Sequence, residues 1–324
     1  MPLRMPLIPP RAAATFTRRL YSTETEPLIR VTNIPASSSG HIRVLELNRP
    51  KARNAISKAL LAALRAEVDD VHAQYGPNGE ETRVASPAVP ADLGPTRALV
   101  LASAVDACFC AGADLKERKG FTQQEQVEAS LSLTAQFLAN LRGTFTALSN
   151  LQVPTISAVS SLALGGGLEL ALSTHFRVLS SNATVGLPET RLGIIPGAGG
   201  THRLPAIIGL SRARDLILTG RRVAAPEAYF MGIADRLVEV VPEDERDASD
   251  ILPAARRTTL AEAVRLAQEI CEGGPVAIRA GLQAVAWARQ DKENEMYERV
   301  VATEDRNEAL RAFQEKRKPV FKGR

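Results

Sequence analysis

Apolar positions change their period along this chain, and the changes divide it into elements. Residues 28–34 and 42–47 alternate apolar and polar side chains, the two-residue period of half-buried strands. Ser37-Ser38-Ser39-Gly40 between them has turn composition, so the pair predicts a hairpin. Ser57 is a helix-capping type, and Leu60, Leu61, Leu64 and Val68 follow at helical spacing, predicting a helix to about Tyr75. Residues 97–103 and 154–160 read as buried strands, with a helix over about 121–151 between them. A helix over 165–172 is expected at once after Ser160. Strands over 176–179, 184–186 and 234–241 and helices over 211–218 and 226–231 continue the alternation. Such an order implies an α/β fold with mostly parallel strands.

From Thr258 onward the strand pattern stops. Residues 258–272, 275–289 and the segments to about 316 read as amphipathic helices. Their apolar positions, Ile278, Leu282 and Val285 among them, need a covering surface from the same chain or from another subunit. Residues 76–95, rich in Pro, Gly and polar types, read as an exposed insertion with no assigned role.

Composition is that of an ordinary globular protein: 324 residues, 45% hydrophobic and 23% charged. No apolar run reaches the roughly 20 residues of a membrane-spanning helix. Residues 1–21 carry Arg4, Arg11, Arg18 and Arg19 and no acid, which resembles a mitochondrial transit peptide cut after Tyr21. The other reading is a basic tail on a cytosolic protein. Those arginines account for the whole formal charge of +4, leaving a neutral body unsuited to nucleic acid. Cys108, Cys110 and Cys271 lack disulfide or zinc spacing and read as buried thiols, and the four histidines show no metal spacing.

Three glycine-rich stretches stand out: 110–116, 165–169 and 196–201. None has the spacing of a P-loop, a dinucleotide fingerprint or a nucleophile elbow. In the second, the free N–H groups of a helix start follow a strand, and glycine allows close approach, which makes the Gly166 amide a good oxyanion donor. Glu169 lies three residues on, among leucines, where an ionised carboxylate is costly. It is either a functional acid or a structural one paired with Arg177 or Arg191. Glu189, between Pro188 and a turn-rich apolar segment, is either aimed at a pocket or paired with Arg191.

These residues resemble the crotonase (enoyl-CoA hydratase/isomerase) superfamily. The matching segments are Leu47-Asn48-Arg49-Pro50 with Asn54-Ala55, then 109–117, 163–172 and 188–204, with residues 312–319 similar to the family's C-terminus. Residues 111–118 and 162–172 look most like its methylglutaconyl-CoA hydratase branch. The resemblance implies a crotonase-like spiral of ββα units over residues 22–257 and a C-terminal helical trimerisation region over 258–324. Two trimers stack into a hexamer in many members.

It also implies roles. The amides of Ala113 and Gly166 would hold the thioester oxygen, and Glu169 and Glu189 would be the two acids that grip one water. Filling both acid positions favours hydration over isomerisation, which commonly lacks one. Ala111, Asp114, Leu115 and Lys116 would line the coenzyme A pocket, and Lys116, Arg49, Lys51 and Arg53 are candidates for its phosphates. Gly197 would pack against the water. Coenzyme A arrives as part of the substrate, and no cofactor or metal is expected.

Substrate preference between methylglutaconyl-CoA and a short-chain enoyl-CoA of β-oxidation stays open. RNA binding, a side activity in relatives, would need a basic comb after Asn54, but Glu67, Asp69 and Asp70 interrupt it. Ser161, His175 and His202 depart from the family's Gly, Asp and Gln; none removes a catalytic group, and the effect of His175 on a supporting salt bridge and on local pH dependence stays open.

Overall fold

A computed structural model describes residues 26–77, 79–82, 93–114, 124–241, 251–288 and 290–324. The basic leader, Leu115, Lys116 and much of the 76–95 insertion lie outside the described residues.

Strands β1 (Ile29–Pro35) and β2 (His41–Leu47) form the expected hairpin, Ile29 facing Leu47 and Pro35 facing His41. The Ser57 hydroxyl accepts from the Leu60 amide at 3.1 Å and starts helix α1 (Lys58–His72), whose Leu60, Leu61, Leu64, Val68 and Val71 are buried. Next come β3 (Thr96–Ser103) and the long helix α2 (Gln124–Ser149). Strand β4 (Thr155–Val159) is followed by β5 (Leu162–Leu164) and helix α3 (Gly166–Leu172), then by β6 (Phe176–Ser180) and β7 (Thr184–Gly186).

The chain goes on through α4 (Gly200–Ile208), α5 (Leu210–Thr219), β8 (Arg222–Ala224), α6 (Ala225–Met231) and β9 (Arg236–Val238). Helices α7 (Ile251–Cys271), α8 (Pro275–Trp287), α9 (Gln290–Val301) and α10 (Glu304–Gln314) end it.

Two sheets result. The larger has the order β1-β2-β3-β4-β6-β9, parallel from β2 onward, and the smaller has the order β5-β7-β8. Consecutive strands alternate between sheets before a helix follows, as in β4-β5-α3 and β6-β7-α4. This is the ββα spiral. An isolated parallel bridge from Cys110 to Ala163 gives the preceding turn its own short segment beside the small sheet.

Strand alternation sends side chains to opposite faces of the large sheet. Leu45, Leu47, Leu99 and Leu101 join the main core with α1 and α2. Ile42, Val44, Val100, Ile156 and Val178 pack against Ala263, Leu266 and Ala267 of α7. Helix α7 therefore runs across the 257/258 boundary read from the sequence, and its covering surface is the chain's own sheet. Helices α8 to α10 leave Val285, Trp287, Tyr297 and Phe313 exposed in the single chain.

The structure corrects the sequence reading at several elements. Helix α3 does not follow β4 directly, because the three residues of β5 intervene and pair with β7. Strand β8 and helix α4 escaped the pattern, the first for its brevity, the second for the glycines at its start and Pro205 inside it. The last strand is three residues long rather than eight. Among the described residues no helix is long and apolar enough to cross a membrane. Cys108, Cys110 and Cys271 are free and buried, and burial pushes their thiols up to about 11, 12 and 11.

Candidate active site

Three backbone segments converge where α3 begins. Gly112 comes so close to the strand before α3 that a Cβ there would lie 2.8 Å from the Leu164 carbonyl oxygen and 3.3 Å from the Gly166 nitrogen. A Cβ on Gly166 would lie 3.5 Å from the Ala113 nitrogen. The two amides predicted to work together are therefore neighbours. Neither donates to an acceptor among the described residues. Gly166 sits at the helix start, where no preceding turn supplies a carbonyl. Ala113 is bypassed because Ile56 bridges its neighbours, accepting from Asp114 N and donating to Gly112 O.

Asn54 fastens this arrangement from below. It is fully buried at a φ of 55°, and its Oδ1 accepts from the Arg49 amide at 2.7 Å. Its Nδ2 donates to Ser103 Oγ at 2.8 Å and to the Phe109 carbonyl at 2.9 Å. Its structural role was not legible beyond its place in a matching segment.

Glu169 is 2% exposed, one turn into α3. Its Oε1 accepts from the Ala198 amide at 2.7 Å and the Gly200 amide at 2.8 Å. Burial pushes its pKa up, and these two amides, with the charges of Arg203 and Arg142, oppose the rise. The partners considered for a structural role are engaged elsewhere. Arg177 pairs with Asp235 at 2.8 Å, and Arg191 donates to the Thr219 carbonyl at 2.9 Å.

Glu189 opens a short 3-10 turn (Glu189–Leu192) and is 9% exposed. Its Oε2 is buried and has no hydrogen-bond partner among the described residues. Burial, helped by the charge of Glu169 and opposed by its own amide, pushes its pKa up to about 7. Two acids in one corner, one clamped and one unclamped, are the arrangement that separates a proton acceptor from a proton donor near neutral pH.

The coenzyme-side candidates divide. Arg49 is held by Asp114 at 3.1 Å and by the Ala55 carbonyl, so its guanidinium braces the 110–114 segment. Arg53 and Lys51 are exposed on the neighbouring turn, and the Arg53 carbonyl accepts from the exposed Ala111 at 3.1 Å. Gly197 presents its carbonyl to Arg142 Nε at 2.6 Å, while the following amide belongs to Glu169. Neither Arg142 nor Arg203 was foreseen, because their partners here are backbone carbonyls, which leave no trace in residue spacing.

The departures from the family pattern are accommodated. Ser161 adopts a φ of 70°, which glycine takes at no cost, and its hydroxyl donates to the Asp106 carbonyl at 2.8 Å. His175 Nδ1 accepts from the Thr155 amide at 3.0 Å, and burial pushes its pKa down to about 4. It is neutral near pH 7, and the Arg177–Asp235 pair beside it is in place. His202 is exposed.

Known proteins are similar to this chain over most of its length. Residues 94–324 match the family model described as Enoyl-CoA hydratase/isomerase. A "Methylglutaconyl-CoA hydratase 1, mitochondrial" from Pyricularia oryzae is 66% identical over 98% of this chain and 93% of its own. The human "Methylglutaconyl-CoA hydratase, mitochondrial" is 36% identical over 97% of this chain and 84% of its own. The crystal structure of an enoyl-CoA hydratase from Bacillus anthracis superposes with a TM-score of 0.72 at 35% identity, covering 92% of this chain and all of that one. Enzymes of this family act on acyl-CoA thioesters and are typically oligomeric. The match over residues 94–324 and the relative 66% identical over nearly the whole chain show that it belongs to the enoyl-CoA hydratase/isomerase family.

Proposed function

We propose that this enzyme adds water reversibly across the double bond of methylglutaconyl-CoA, giving hydroxymethylglutaryl-CoA. The observation that carries the hydratase chemistry is the pair of buried carboxylates, Glu169 clamped by two amides and Glu189 with an unpartnered oxygen. The substrate assignment draws on the 66% identical relative and its printed name.

The amides of Ala113 and Gly166 receive the thioester oxygen as it gains enolate charge. Water held between the acids adds its oxygen to Cβ and yields a proton to Glu169. Glu189 delivers its own proton to Cα. A proton then passes from Glu169 to Glu189 and restores the starting state, so no net proton is consumed. Dehydration runs the same steps backward. The chemistry needs no cofactor, since coenzyme A is carried by the substrate. Arg53, Lys51 and Lys116 are the candidates for its phosphates, with Arg49 as a brace.

The exposed apolar residues of α8 to α10 support a homotrimer or a stacked hexamer. The basic leader, together with relatives named mitochondrial, supports a place in the mitochondrial matrix. On α1, Arg65 pairs with Asp69, and Glu67 and Asp70 pair with Arg43, which supports leaving specific RNA binding out of this reading.

The test is turnover of methylglutaconyl-CoA against crotonyl-CoA with the mature chain, followed by loss of the conjugated double bond. A higher kcat/KM for methylglutaconyl-CoA is expected. A strong preference for crotonyl-CoA would instead assign the short-chain hydratase role of β-oxidation.

A further inference from the structure

The loop that offers Ala198 and Gly200 to Glu169 is itself held from outside. Arg142 of α2 donates from Nε to the Gly197 carbonyl at 2.6 Å. That carbonyl and the Ala198 N–H belong to one rigid peptide plane. Fixing the oxygen on one side therefore fixes the direction of the N–H on the other, which meets Glu169 Oε1 at 2.7 Å.

Arg203 holds the peptide that lies between the two donors with its side chain, and the peptide of the second donor with its main chain. Its Nη1 donates to the Ala198 carbonyl at 2.9 Å, and its backbone N–H donates to the Gly199 carbonyl at 2.8 Å. The latter peptide contains the Gly200 N–H that meets Glu169 Oε1 at 2.8 Å. Two consecutive peptide planes, 197–198 and 198–199, are thus pinned by arginine side chains from two helices, and the third is held by the first main-chain bond of α4. The sequence makes room for this: Gly199 has a φ of 117°, and a Cβ there would fall 1.9 Å from Arg203 Nη1. The guanidinium occupies space that any larger residue would take.

We propose that Arg142 and Arg203 are positioning residues for Glu169, aiming through the 197–200 peptides the two amides that fix its Oε1. The inference rests on the reading of Glu169 as the group that activates water. Neither arginine needs to touch substrate. Both also bring positive charge near the carboxylate, which favours its ionised form. A loosened clamp leaves the carboxylate free to turn away from the water, and small misplacements of reacting groups are costly in rate.

Arg142 is exposed, so its replacement is compatible with folding. Arg142→Gln, Arg142→Lys and Arg203→Gln are made in the wild-type and in the Glu169→Gln background, with hydration of methylglutaconyl-CoA and crotonyl-CoA and the thermal midpoint measured for each. Each Gln variant is expected to lower kcat by about tenfold to a hundredfold with KM within about twofold. Arg142→Lys, which keeps a donor and a charge, is expected to restore most of the loss. In the Glu169→Gln background the arginine variants are expected to cost nothing further, because residues acting through one group are not additive. Equal fractional losses in both backgrounds, or a rise in KM at constant kcat, would overturn the proposal. Full turnover in Glu169→Gln alone would instead overturn the assignment of Glu169. An inert Arg142→Gln in an enzyme that Glu169→Gln disables would sink only the bracing role.

Discussion

Glu189 lies against Gly165, so closely that a Cβ on that glycine would come within 3.0 Å of Oε1. Gly165 is the N-cap of the helix that carries Glu169, and its φ of 55° is one that glycine adopts readily. The contact brings the two acids to one corner although 20 residues separate them in the chain. Burial pushes both carboxyls up, and their hydrogen bonding differs. Glu169 is compensated by two amides, whereas Glu189 has only its own amide against the cost of burial.

The pH profile follows from this asymmetry. Water addition exchanges no net proton with solvent, so hydration and dehydration share one kcat/KM profile. In the proposed mechanism the active form carries one proton on the pair. Both directions are expected to lose kcat/KM above about pH 7, where Glu189 gives up its proton. Activity that climbs steadily from pH 7 to 9 in either direction would show that the ionised form is the working one.

The same shift has a consequence for stability. A carboxyl whose pKa is raised from 4.5 to about 7 on folding binds its proton more tightly in the folded state. Wild-type stability therefore falls as pH rises through the window between those values. Glutamine does not titrate. The stability of Glu189→Gln relative to wild type is expected to grow by about 1–3 kcal/mol between pH 5 and pH 8. Denaturant unfolding at the two pH values measures this, and a pH-independent difference would contradict the burial of an ionisable Glu189.

Two glycines give opposite expectations. A Cβ on Gly167 would fall 2.1 Å from the Cys110 carbonyl oxygen, between the segments that carry the Ala113 and Gly166 amides. Gly167→Ala is expected to cost about 1–3 kcal/mol and to lower kcat. Gly143, inside α2, has only Arg65 Nη1 near its Cβ position, at 3.8 Å. Gly143→Ala is expected to stabilise by about 0.5–1 kcal/mol and to leave kcat unchanged. Thermal unfolding and turnover of both variants check the pair, and a harmless Gly167→Ala would mean that the close packing does not set the amide geometry.

Local physics made much of the fold legible. The hairpin of β1 and β2 followed from alternation around a serine-glycine turn, and α1 from a capping serine and its apolar face. Glu169 and Glu189 were conspicuous as acids in apolar or glycine-rich company. Elements of three residues, such as β5 and β8, are too short to show a period. The start of α4 was hidden by glycines whose reason is tertiary: a Cβ on Gly200 would fall 2.9 Å from Leu187 Cδ1 and 3.2 Å from Glu169 Oε1. The Arg49–Asp114 pair, 65 residues apart, depends on chain return and could not be read from spacing.

The most direct test measures hydration by wild type, Glu169→Gln and Glu189→Gln, with binding of a product-like hydroxyacyl-CoA followed in parallel. Each substitution is expected to lower kcat by about 10²–10⁴ while the fold and thioester binding persist. Wild-type turnover in either variant would contradict the division of proton transfer between these two carboxylates.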